Sequence, residues 1–118
     1  MRKTLNFNGK SVNLECNAAT PLVGKRIFNI DFLQFFQKSN DIEDAERIDK
    51  FERVAFTMAM QAEEGTKGAM AKTEDDFIDW LAEFDFQEIM QNVLKEAASL
   101  WTDTQSPASV PKKESGQQ

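Results

Sequence analysis

Hydrophobic and polar positions alternate at the start of the chain and then switch to a helical period. Leu5 and Phe7 alternate with polar neighbours, as do Val12, Leu14 and Cys16, which is the two-residue repeat of a half-buried strand. Between the two runs stands Asn8-Gly9, which supplies the two positive-φ positions of a type I′ turn. The pattern therefore predicts a β-hairpin over about residues 3–16. A lone hairpin is marginal in water, so its apolar face must lie on whatever follows.

From Thr20-Pro21 onward the period is helical. Thr20 is a candidate N-cap, and Pro21 fits the first helical position, where a missing N–H costs nothing. Leu22, Val23, Ile27 and Phe28 mark a first short helix, which Asn29 can end in a left-handed conformation. Asp31 can cap a second helix carrying Phe32, Phe35 and Phe36, and Ser39-Asn40-Asp41 reads as a turn. The longest helix is expected from Ile42 to about Glu64, with Ile48, Phe51, Ala55, Met58, Ala59 and Ala62 on its core stripe. Glu43 and Asp44 sit in its first turn, where the helix dipole favours acids. A loop is expected from Gly65 to Lys72. Thr73 then caps a helix over 74–84, and Asp85 with Glu88 forms a capping box for the last one. That helix carries Phe86, Ile89, Met90, Val93, Leu94, Ala97, Leu100 and Trp101. Beyond Asp103 the period stops. The expected architecture is α+β and mostly helical: an N-terminal hairpin packed on four to five helices, one domain over 1–103, and a disordered polar tail over 104–118.

Not every apolar residue finds a place on these stripes. Ile30 and Leu33 lie beside the Phe32–Phe36 face, and Val54, Phe56 and Met60 lie off the Ile48–Met58 stripe. A helix that is apolar on more than one side is either central or offers a face to another chain. These five residues are the candidate partner-binding positions, and self-association is expected through the same surplus.

Composition narrows the chemistry. The chain has 118 residues, 41% hydrophobic and 29% charged, with ten Phe and two Trp, which describes an ordinary globular protein with an aromatic core. Its net charge is −6 and its pI about 4.7, which speaks against nucleic acid and anionic membrane as partners. No run approaches the roughly 18 apolar residues of a membrane span. Without a single His, the usual triads, imidazole metal ligands and near-neutral general base are excluded. Cys16, in register with Val12 and Leu14, reads as a core residue rather than a nucleophile. Asp75 and Asp79 share a helix face and could in principle hold a hard cation, but capping and solvation explain them more simply. The acids at Asp41, Glu43, Asp44, Glu46 and Asp49 read the same way. No catalytic residue, metal or cofactor is expected.

The order of these pieces resembles the tail assembly chaperones of long-tailed (siphovirus-type) bacteriophages and prophages. The resemblance covers residues 3–103. It rests on Leu5-Asn6-Phe7-Asn8-Gly9-Lys10, Asn17-Ala18-Ala19-Thr20-Pro21-Leu22, Lys25-Arg26-Ile27-Phe28, Asp31-Phe32-Leu33, Asp75-Asp76-Phe77-Ile78-Asp79-Trp80-Leu81 and Leu100-Trp101. Gly24 departs from the pattern, since it puts a weak helix former where a larger residue is expected, and it argues against an unbroken first helix.

The resemblance implies a non-enzymatic role in the host bacterial cytoplasm. Such a protein binds the tape-measure protein, keeps it soluble during tail assembly, and is absent from the mature virion. It also implies a longer product made by frameshifting near the end of the frame. The Pro111-Lys112-Lys113 run is compatible with a slippery site, and the extension would recruit the major tail protein. The alternative from residues alone is a small acidic helical adaptor or regulatory protein acting on a basic partner.

Overall fold

A computed structural model describes residues 1–105; the expectations for residues 106–118, the polar tail and the frameshift at Lys113, lie outside them. Strand β1 (Arg2–Phe7) pairs antiparallel with β2 (Lys10–Glu15), with Leu5 opposite Val12 and Phe7 opposite Lys10. Asn8 and Gly9 both have positive φ, as the two-residue turn requires. Leu5, Val12, Leu14 and Cys16 are buried and Phe7 is half-buried, so the hairpin lays one face on the helices.

Five helices follow among the described residues: α1 (Thr20–Phe28), α2 (Phe32–Lys38), α3 (Asp44–Met70), α4 (Glu74–Leu81), and α5 spanning 86–105. A 3₁₀ turn at Ser39–Asp41 joins α2 to α3. Several predicted boundaries hold. Asn29 ends α1 in the left-handed conformation, and Asp31 accepts from the Gln34 N–H at 3.0 Å. Thr73 and Asp76 close one capping box, and Asp85 and Glu88 close another.

Other expectations are corrected. Thr20 is not an N-cap: α1 starts at Thr20 itself, and its buried hydroxyl accepts from the Asn17 N–H and donates to Gln61 Oε1 at 2.7 Å. A buried hydroxyl needs such partners, and here they tie α1 to α3. Nor does Gly24 break α1. A Cβ at that position would sit 2.2 Å from the Phe32 ring, so the glycine is what lets α2 approach α1. The stretch after Glu64 is not a loop. Gly65 kinks α3 (φ 78°, ψ 172°) and the helix resumes to Met70, burying Ala69. The helix starting at Glu74 stops at Leu81, earlier than expected, and a turn carries the chain to Phe84. Thr104 and Gln105 belong to α5, because Gln105 Nε2 donates to the Asn17 carbonyl at 2.7 Å and pins the helix end.

Helix α5 contains a feature without a sequence signal. After Phe86–Glu88 it makes one π turn at Ile89–Val93, where the Leu94 N–H donates to the Ile89 carbonyl, and it continues as Leu94–Gln105.

The core is aromatic and has two lobes. Phe35 and Phe36 meet Phe51 edge-on, while Phe36 stacks on Trp101 with centroids 4.4 Å apart. In the second lobe Phe56 meets Phe28, Phe77 and Trp80 at 5.9, 5.6 and 5.7 Å. Phe28 also meets Phe77 edge-on, and the Arg53 guanidinium caps this ring pair, 4.9 and 4.6 Å from the Phe28 and Phe77 centroids and bonded to Glu74 and Asp49.

Candidate functional site

The five partner-binding candidates do not form one surface. Val54 and Phe56 are fully buried, which overturns their reading as surplus to the core. The physical reason is that α3 is central: every residue from Val54 to Ala59 is buried, because β2 and helices α1, α4 and α5 surround that segment. Phe56 is the hub of the second aromatic lobe and faces no solvent. Met60 is half-buried in a small cleft beside β2, with Trp80 and Phe84. Ile30 and Leu33 lie at the α1–α2 corner, where Leu33 is 50% exposed and Ile30 lines a concavity with Lys25 and Lys38.

The surface that does assemble apolar residues is a groove between α3 and α5. Ile48 and Phe51 form one wall, and Met90, Leu94 and Ala98 the other, around about 440 Å³. Both walls follow from spacing. Positions 90, 94 and 98 recur at i, i+4, i+8, one ridge along a helix, and they span about 12 Å at ~1.5 Å per residue. Four of these five residues are half-buried, leaving an apolar trough open to solvent. Ile48 and Phe51 were legible as apolar stripe residues. That the stripe continues past the core into an open trough depends on where α5 lies, which periodicity does not give.

Charges fix the rim. Arg47 pairs with Asp44 and donates to the Ser39 and Ile42 carbonyls at 3.1 Å each, so it also holds the 3₁₀ turn against α3. Lys95 stands exposed on the α5 side and makes no ion pair among the described residues.

A second polar cluster fixes α5 itself. Buried Glu88 accepts from Lys10 Nζ at 2.5 Å, from Asn8 Nδ2 at 3.0 Å and from the Asp85 N–H. Those donors, Lys10 foremost, hold its carboxyl down at about 2. The hairpin turn is thereby clamped to the helix one residue before the π turn. Cys16 is buried, and burial pushes its thiol above the ordinary range, which suits a packing role. Among the described residues no group of three or more Cys, Asp or Glu side chains is arranged to hold a metal ion, Asp75 and Asp79 included. No helix described is long and apolar enough to cross a membrane. No family model, curated protein or solved structure matches the chain.

Proposed function

We propose that this chain is a non-enzymatic tail assembly chaperone of a long-tailed bacteriophage, acting in the host cytoplasm and absent from the virion. It binds an amphipathic helix of the tape-measure protein and keeps that long chain soluble during tail assembly. The observation that carries this reading is the α3–α5 groove. A trough of about two helical turns, walled by Ile48, Phe51, Met90, Leu94 and Ala98, suits a helix presenting apolar anchors at i, i+4 and i+7. Met90 adds a flexible side chain that can adapt to varied anchors along a long target. The net charge of −6 keeps a complex with an aggregation-prone partner in solution. The order of hairpin, caps and aromatic segments supports the same family. Self-association and recruitment of the major tail protein by a frameshifted longer form belong to this reading.

Co-expression with the tape-measure protein of the same phage tests the proposal. The wild-type chain should hold that protein in the soluble fraction and co-purify with it. Ala98→Arg, which fills the trough from a half-buried position, should abolish capture while the helical circular dichroism is unchanged. Capture by Ala98→Arg equal to wild type overturns the groove, and an insoluble tape-measure protein beside abundant wild-type chain overturns the function.

A further inference from the structure

Opposite in character to the groove is the concavity at the α1–α2 corner. Lys25, Lys38 and Lys50 converge on a hollow of about 460 Å³ whose apolar lining includes Ile30, Phe35 and Ile42. In a chain of net charge −6, three cations on one hollow run against the average. Two acids share the lining. Asp31 already accepts from the Gln34 N–H, and Asp41 sits in the 3₁₀ turn. Lys50 is paired with Glu46, but Lys25 and Lys38 are exposed and make no ion pair among the described residues.

Helix α4 carries the complement. Asp75 and Asp79 are exposed at i, i+4 and have no ion-pair partner among the described residues. Ile78, three residues after Asp75, is 53% exposed on the same side. This is an apolar knob flanked by carboxylates. Knob and hollow are close on the molecule: Lys50 lies one turn from Arg53, which holds Glu74 at the start of α4, and Phe28, beside Asn29 of the hollow, packs on Phe77 at 5.5 Å. Two adjacent patches of opposite character suit a pair in which each copy gives one patch and receives the other.

We propose that two copies of this chain associate by seating the Asp75–Ile78–Asp79 face of one in the Lys25/Lys38 hollow of the other. Ile78 meets the Ile30 and Ile42 lining, and the carboxylates meet the lysines. The inference rests on the self-association part of the functional reading and uses neither wall of the α3–α5 groove.

Sedimentation velocity on the full chain tests it. Wild type should sediment as twice the 13.4 kDa chain in low salt and shift toward monomer at ~1 M salt, where screening acts within ~3 Å. Lys25→Glu with Lys38→Glu should be monomeric, and so should Asp75→Lys with Asp79→Lys. All four side chains are exposed, so both variants keep the wild-type circular dichroism. Mixed in equal amounts, the two charge-reversed chains should associate again. A monomeric wild type, dimers unaffected by either pair of reversals, or a mixture that stays monomeric each overturns the proposal. Monomeric chain that still captures the tape-measure protein leaves the functional reading standing and removes this one alone.

Discussion

Replacing Gly24 by Ala sets two known effects against each other. In an exposed helix interior the change stabilises by about 1 kcal/mol, because Gly loses more backbone freedom on folding. Here the new Cβ would lie 2.2, 2.4 and 2.8 Å from three atoms of the Phe32 ring. Ordinary carbon contacts are about 3.5–4.0 Å, so the overlap exceeds an ångström. Nor can the ring swing away: Phe32 is fully buried, with Trp101 edge-on at 6.3 Å. Overpacking of this kind costs about 1–3 kcal/mol, and an overlap this deep belongs at the upper end. The expected net result is a loss of about 2 kcal/mol, seen as a lower urea midpoint at unchanged slope. The same substitution measured in a Phe32→Leu background should become neutral or gain up to ~1 kcal/mol, because the ring is gone. That is a coupling of about 2–3 kcal/mol in a double-mutant cycle. A Gly24→Ala chain more stable than wild type, or a coupling near zero, would refute the close approach of α1 and α2.

Phe56→Ala should cost about 3–5 kcal/mol by chemical denaturation, as a hub of three aromatic contacts must, and Phe56→Asp should fail to fold; a folded Phe56→Asp chain would return the residue to the surface. Arg53→Lys should lose about 1–2 kcal/mol, because an ammonium cannot lie flat over both rings and hold two carboxylates at once; thermal melts at low and high salt separate the stacking from the ion pairs. Glu88 titrates at about 2 when folded against an ordinary 4.5, so its share of stability is complete above ~4.5 and is lost as pH falls toward 2. Glu88→Gln should flatten that limb of a stability–pH curve, and an unchanged acid limb would show that the Lys10 clamp does not hold in solution.

What the sequence revealed is what local chemistry decides. Asn8-Gly9 names its turn wherever it occurs, and Asp31, Thr73 and Asp85 cap helices with atoms only three residues away. Neither needs the rest of the fold. Val54 and Phe56 were misplaced for the opposite reason. A helical wheel assigns one inner face, whereas α3 is enclosed on all sides over 54–59, and nothing in its own period says how many neighbours it has. Gly24 was misjudged in the same way, since its propensity is local but its purpose is the Phe32 ring eight residues on. Gly65 reads as the end of the helix and the start of a loop, whereas it makes only a kink, because the packing of Ala69 carries the helix on to Met70. The candidate site follows this division. Ile48 and Phe51 were legible as apolar, but their wall partners Met90, Leu94 and Ala98 come from the far end of the chain.

The π turn in α5 can also be understood as an adjuster of phase. An α-helix advances about 100° per residue, and one wide turn delays everything after it by about one residue's worth of rotation. The stretch before it must point Glu88 at Lys10, while the stretch after it must bring Trp101 onto Phe36. Removing one residue from the wide turn, the exposed Gln91 for example, would restore regular winding and leave both halves helical. It would also rotate one half against the other, so that either the hairpin clamp or the Trp101 stack must be given up. Length within 89–93 is therefore more tightly constrained than the identity of its exposed residues, and a one-residue deletion there should cost more than any single substitution at Gln91.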